Sequence, residues 1–300
     1  FVPQRELPVY ARQHFREDVL GAKTVAAQTA GTTVFEDDAI RLWTLDQPVL
    51  IASIKTKMHA ISPAVAEGLM QAVDLAEQSY EALVIWSPDE MFSVGADLQA
   101  MLPAFMISGI SAIDGAEHEL QKTMLRLRYA SVPVISAIRG LALGGGCEIA
   151  VHSARRVAAM ESYIGLVEVG VGLVPGAGGL TYIARRAAEQ VAASTNKDLL
   201  TGAFTAAAMA KVGTSALESR QLGYLLDDDV IVPHKDELLH VAMAQGRAMT
   251  QSGYRAPVRR LIPVAGRNGV ATIKGSLVNM RDGGFISAHD FHIAGLIANV

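Results

Sequence analysis

The sequence predicts an α/β layered fold, and three features carry that expectation. Apolar runs of strand length alternate with stretches of helical apolar spacing, turn residues separate the two, and half of the 300 residues are apolar while only 19% are charged. A helix with one apolar stripe and a strand with apolar faces are stable only when packed on each other, so such alternation implies helices layered on a sheet. A chain of this length and composition can bury a large core and is not a disordered one.

Residues 1–38 read as a linker or arm, charged and irregular at first and then rich in Ala, Gly and Thr. Residues 40–45 and 49–54 predict two strands, with Asp46-Gln47-Pro48 as the turn. Ser62-Pro63 predicts an N-cap followed by proline in the first helical turn. Val65, Leu69, Val73 and Ala76 then mark one helix face at spacings of 4, 4 and 3. Residues 82–86 predict a short buried strand. Ile113, Ala116, Leu120, Met124 and Leu127 predict a second amphipathic helix, and 132–138 another strand. The turn Gly144-Gly145-Gly146 leads into a short helix from about Cys147, and 155–159 predicts a further strand. Helices are expected at 180–189, 215–226 and 234–251, with a short strand at 230–232. This divides the chain into an arm (1–38), a core (39–252) and a C-terminal extension (253–300). Phe1 and the apolar run ending at Val300 read as cuts within a longer protein.

The bulk numbers exclude several functions. A net charge of −4 argues against nucleic acid, whose binders carry a basic face. No run of about 18 apolar residues predicts a membrane span. A single cysteine, Cys147, permits no intrachain disulfide and points to a reducing, cytoplasmic setting. No G-x-G-x-x-G or G-x-x-x-x-G-K-[ST] occurs, so no nucleotide fingerprint is present. His289 and His292 are three apart, but without a cysteine or an acidic cluster beside them no metal is expected.

Three segments carry chemistry. Phe92-Ser-Val-Gly-Ala96-Asp97-Leu98 follows a predicted strand, and its small residues let a ligand approach the backbone. In Gly140-Leu-Ala-Leu-Gly144-Gly145-Gly146-Cys147-Glu148 the glycines open a helix, whose free N–H groups and dipole suit an anion or a developing oxyanion. In the stretch from Gly165 through Gly172 and Pro175-Gly176 to Gly179, Glu168 is a lone acid among apolar residues, where desolvation raises a pKa. Singly, each could be structural: a tight turn, a helix cap, or a glutamate paired with Arg155 or Arg156.

In order and together, these segments resemble the crotonase (enoyl-CoA hydratase/isomerase) superfamily. Residues 93–98 look like its S-x-G-A-D-[LI] turn, Ala142 to Glu148 its A-L-G-G-G-C-E signature, and Glu168 to Gly179 its P-E-x-x-x-G-x-x-P-G-x-G-G segment, with Val167 where proline is usual. The resemblance runs from about Ile40 to about Leu239. It implies a spiral of repeated β-β-α units with C-terminal helices, assembled as trimers or hexamers, and acyl-CoA substrates. It implies that the Ala96 and Gly145 amides form an oxyanion hole, that Glu148 acts on water and that Glu168 delivers a proton to the α-carbon. It places Asp97, Leu98, Gly144 and Gly176 against the substrate. The reaction implied is hydration of the 2,3 double bond of an enoyl-CoA in fatty-acid β-oxidation, with no cofactor beyond the coenzyme A of the substrate.

The sequence also departs from the pattern. The family's Asn-Arg-Pro after the second strand is replaced by Ser53-Ile-Lys55-Thr-Lys57-Met-His59, where Lys55 and Lys57 are either phosphate contacts or solvated lysines. Residues 253–300 look more like bacterial fusions in which a 3-hydroxyacyl-CoA dehydrogenase precedes the hydratase part. An enoyl-CoA isomerase is the nearest alternative; such relatives commonly lack an acid at the Glu148 position. Dehalogenase or hydrolase relatives share the scaffold, and a non-catalytic acyl-CoA-binding or partner-binding scaffold is the alternative of a different class. Met101, Leu102, Phe105 and Met106 either line an acyl tunnel or belong to a helix core.

Overall fold

The computed structural model describes residues 31–45, 48–193, 199–262 and 264–300. Among the described residues seven strands form one sheet: β1 (Thr32–Glu36), β2 (Ile40–Thr44), β3 (Val49–Ile54), β4 (Ala82–Ile85), β5 (Val134–Leu143), β6 (Arg155–Gly165) and β7 (Val230–Val232). β1, β2 and β3 pair antiparallel, and every later pair is parallel. Spatial order equals chain order. Each parallel pair needs a crossover, so the chain advances one strand per turn and winds into a spiral.

Helices supply the crossovers. They are α1 (Pro63–Ser79), α2 (Leu98–Ser108), α3 (Ile110–Arg128), α4 (Gly145–His152), α5 (Gly179–Ala193), α6 (Leu199–Ala208) and α7 (Ala216–Gln221). α8 (Leu238–Gln251), α9 (Gly266–Asp282) and α10 (Ala288–Ile297) follow the last strand. A second row of β contacts runs beside the sheet as isolated bridges, Ile61 with Ala96, Ser93 with Ala142 and Ile164 with Gly213. β5 and β6 serve both rows: their register shifts between Ile138 and Gly140, so the later half of each strand turns toward the bridges. This is the expected spiral of repeated β-β-α units, with isolated bridges standing for much of the second β of each unit.

The middle strands are buried on both faces. Alternate residues therefore enter different cores. Ile40, Leu42, Leu50, Ala52, Leu83 and Ile85 pack with Val65, Leu69 and Val73 of α1. Trp43, Val49, Ile51 and Val84 pack with Leu238, Leu239, Ala242 and Met243 of α8. Ser62 caps α1 as its position predicts, its Oγ accepting from the Val65 N–H at 3.3 Å.

Several boundaries differ from expectation. Residues 32–36 of the stretch read as an arm add an edge strand, mostly exposed, while 1–30 and the turn residues Asp46 and Gln47 lie outside the described residues. β5 and β6 run past 138 and 159, because small residues such as Gly140 and Ser162 continue the strands through the bend. The helix expected at 215–226 ends at Gln221, and that at 234–251 begins as a 3-10 turn, Lys235–Glu237. α2, α6, α9 and α10 carry no signal that the apolar spacing revealed. α2 buries no residue at all. Met101 is half-buried, Leu102 and Met106 are 56% and 75% exposed and Phe105 is exposed too, so the run from Met101 to Met106 is not a helix core. α9 and α10 close on α6 through Ala208, Ile273, Leu277 and Ala294. No helix among the described residues is long and apolar enough to cross a membrane.

Candidate active site

The 93–98 turn is held from both sides. The Ile61 N–H donates to Gly95 O at 2.8 Å and the Asp97 N–H to Ile61 O at 3.0 Å, which fixes the peptide of Ala96 between them. The Leu143 N–H donates to Ser93 O at 2.9 Å, and Ser93 Oγ donates to His59 O at 2.6 Å. Behind the turn, His59 is buried, with Nε2 2.9 Å from Asp89 Oδ2.

α4 begins against this turn. Gly95 has φ +96°, and a Cβ there would lie 2.9 Å from both Gly145 N and Leu143 O. A Cβ on Gly146 would lie 2.5 Å from Ser93 O. The two backbones can approach this closely only because neither residue has a side chain. Gly145 is the first residue of α4, so its N–H has no partner within the helix. Among the described residues, neither the Ala96 nor the Gly145 N–H donates to a protein acceptor. An ideal Cβ on Gly145 would sit 3.4 Å from Ala96 N, so the two free amides are neighbours.

The two glutamates reach the same place. Glu148 stands in the first turn of α4, buried, with Oε1 accepting the Gly179 N–H at 2.8 Å. Glu168 opens the 3-10 turn Glu168–Val171, and its Oε1 would lie 3.2 Å from a Cβ on Gly144. Its Oε2 is buried without a partner. Both carboxyls are pushed well above the ordinary carboxylate range. For Glu148 burial is the main cause, with the charge of Glu168 adding to it, while the Gly179 amide pulls back toward ionisation. For Glu168 burial again dominates, and the backbone amides of Glu168 and Val167 pull back; a proline at 167 would offer no N–H. Two such neighbours titrate as a pair, not as independent groups.

A third carboxyl joins them. Glu117 on α3 has Oε2 buried without a partner, and burial raises its pKa. Its charge raises the pKa of both Glu148 and Glu168. It lies against the glycine loop, with Oε2 2.5 Å from an ideal Cβ on Gly176, and Gln121 one helical turn later donates to Gly176 O at 2.7 Å. The sequence reading missed Glu117 because it stands on an ordinary amphipathic helix. Its only signal was its place on the same face as Leu120, Met124 and Leu127, where a charge is unexpected.

The other expected residues divide. Gly144 and Gly176 frame the glutamates as described. Asp97 caps α2, accepting the Ala100 N–H at 3.0 Å, and Leu98 is exposed at the start of that helix. Lys55 lies beside the edge strand, 2.8 Å from Glu36 Oε1 and bonded to Asp37 O, and Lys57 is exposed in the next turn. Neither Arg155 nor Arg156 pairs with Glu168. Arg155 pairs with Asp228 at 2.8 Å and Arg156 with Asp229 at 2.7 Å. His289 reaches Gly172 O at 3.3 Å, so α10 rests on the Glu168 turn. No group of three metal-ligating side chains occurs among the described residues.

Buried carboxyls with raised pKa values make stability fall with pH. The folded state holds their protons more tightly than the unfolded chain does. Their contribution is therefore fully present below the ordinary value of 4.5 and is lost as pH rises through the higher folded values. Melting temperatures taken from pH 4.5 through neutrality should fall more steeply in the parent than in Glu148→Gln or Glu168→Gln. Parallel curves would remove the raised pKa values from the account.

A sequence profile of the enoyl-CoA hydratase/isomerase family matches residues 46–216. A Bacillus subtilis protein described as a 3-hydroxyacyl-CoA dehydrogenase is 32% identical over 93% of this chain, which spans 34% of that protein's length. A Rickettsia felis protein described as a fatty acid oxidation complex trifunctional enzyme is 38% identical over 49% of the chain, and the match spans 20% of its length. The solved enoyl-CoA hydratase from Bacillus anthracis superposes with a TM-score of 0.57 at 20% identity, over 86% of this chain and 88% of that one, a likeness of fold.

Proposed function

The chain belongs to the enoyl-CoA hydratase/isomerase family, and from that premise we propose that it adds water across the 2,3 double bond of an enoyl-CoA thioester. What supports the reading most is the convergence of two free amides and two buried carboxyls on one point of the fold. In this scheme Glu148 takes a proton from water, and the oxygen of that water bonds to the β-carbon. The π electrons move onto the thioester, whose oxygen gains negative charge, and Glu168 gives its proton to the α-carbon. The Gly179 N–H on Glu148 opposes, without cancelling, the rise that burial gives its pKa. The Ala96 and Gly145 amides would stabilise the enolate oxygen, by about 2.7–4 kcal/mol each on the scale of other oxyanion donors. Coenzyme A enters as part of the substrate, and the chemistry proposed asks for no metal or redox group.

An isomerase reading is favoured by one observation. Glu168 has an oxygen free of partners whereas Glu148 is engaged by Gly179, so Glu168 alone could move a proton between two carbons. The two readings separate in one assay. Crotonyl-CoA should lose its conjugated enoyl-thioester absorbance and yield 3-hydroxybutyryl-CoA. Turnover of a 3-enoyl-CoA to the 2-enoyl isomer, with crotonyl-CoA left intact, would replace hydration by isomerisation. Binding of both without turnover would favour the scaffold reading.

Glu117 supplies the pair with a neighbouring negative charge. Glu117→Gln should therefore shift the whole pH profile of kcat/KM toward acid, because both carboxyls lose a charge that opposes their ionisation. An unmoved profile would place Glu117 outside the electrostatics of the reaction.

A further inference from the structure

A cavity of about 270 Å³ lies at the opposite end of α4 from Gly145, behind the glycine loop. Five arginines line it: Arg128 at the end of α3, Arg156 at the start of β6, Arg185 and Arg186 on α5, and Arg255 after α8. Glu189 is the one acid among its described lining residues, and it comes no nearer than 3.8 Å to Arg185 Nε. Arg156 is 2% exposed and gives Nε to Asp229, yet its Nη2 is buried without a partner. The Nε atoms of Arg128 and Arg186 are buried without partners too. Among the described residues Arg128, Arg186 and Arg255 form no ion pair. His152, at the end of α4, also lines the cavity. Burial, together with the charges of Arg128, Arg185 and Arg156, pushes its pKa down to about 4, so it stays neutral near pH 7.

Unsatisfied buried guanidinium donors are costly, and the planar guanidinium fork matches the oxygens of phosphate. A single carboxylate accepts at most about four hydrogen bonds, fewer than five guanidinium groups offer. We propose that this cavity binds a multiply charged phosphate group, a pyrophosphate unit either free or carried by a nucleotide. The site is separate from the glutamates but joined to them. His152 Nδ1 lies 2.7 Å from Glu148 O, and Arg185 and Arg186 ride on the helix that begins at Gly179, the residue that holds Glu148. An anion here would tie α4 to α5, the two helices that position that carboxyl.

The test is titration calorimetry of the chain with inorganic pyrophosphate and, separately, with ADP, at constant ionic strength. The parent and the variants Arg186→Gln and Arg255→Gln are compared. Arg255 is exposed at the rim, so its replacement leaves the core untouched, and melting without ligand checks that both variants fold. Saturable binding that weakens about tenfold or more in each variant, the loss expected for a hydrogen bond to a charged group, supports the site. The tighter of the two probes identifies the source as free or nucleotide-borne. No saturable binding of either probe to the parent, or equal binding by parent and variants, overturns it.

Discussion

Glu168→Gln should lower crotonyl-CoA hydration by about 10²–10⁴-fold, the range that a positioned general acid or base contributes. Glutamine keeps the size of the side chain and its contact above Gly144, so the Ala96 and Gly145 amides stay in place. What it loses is the proton that the α-carbon must receive. The loss should fall on kcat, with KM for crotonyl-CoA little changed, because the amides and the CoA contacts do not depend on that proton. Glu148→Gln should cost a comparable factor, since its amide oxygen still accepts from Gly179 but cannot take a proton from water. Steady-state rates on the three proteins decide the matter. A Glu168→Gln enzyme at parental rate would sink the mechanism. A collapse in Glu168→Gln alone would assign the proton transfers to one carboxyl.

Asp229→Ala should destabilise the fold by about 3–5 kcal/mol, the cost of leaving a buried charge unpaired. Asp229 accepts from Arg156 Nε at 2.7 Å, from the Arg156 N–H at 2.9 Å and from the Leu226 N–H at 2.6 Å. Arg156 and Asp229 are 2% and 1% exposed, so water cannot substitute. The pair joins the start of β6 to the segment before β7, beside the more exposed Arg155–Asp228 pair and the short ladder of β7. Asp229→Asn should lose less, because it still accepts hydrogen bonds while giving up the charge. Denaturant melts of the two variants measure the difference. A loss below about 1 kcal/mol for Asp229→Ala would mean that the buried arginine finds other partners.

How much was legible in the sequence follows from what each signal depends on. Strands β2, β3, β4 and β7 and helices α1 and α3 were readable because each declares itself locally, by an apolar run or by an apolar stripe with a cap such as Ser62. The glycine turns before Ala96 and Gly145 were readable too, because close backbone contact excludes a Cβ, and that demand leaves its mark in the residue type. Glu148 and Glu168 were picked out by their places in those segments and by resemblance.

Helices α2, α6, α9 and α10 were not legible. α2 is apolar all round and packs no residue inside, so no stripe marks it. The others bury residues only against one another or against distant segments. By itself, then, the sequence determined the layered α/β class, the tight glycine turns and the two glutamates, all of which rest on local pattern. Only the tertiary structure decided that Glu117 stands beside that pair, that Lys55 is held by the edge strand and that Arg156 belongs to Asp229. These depend on which residues meet across 18 to 73 positions of chain, and no local spacing records that.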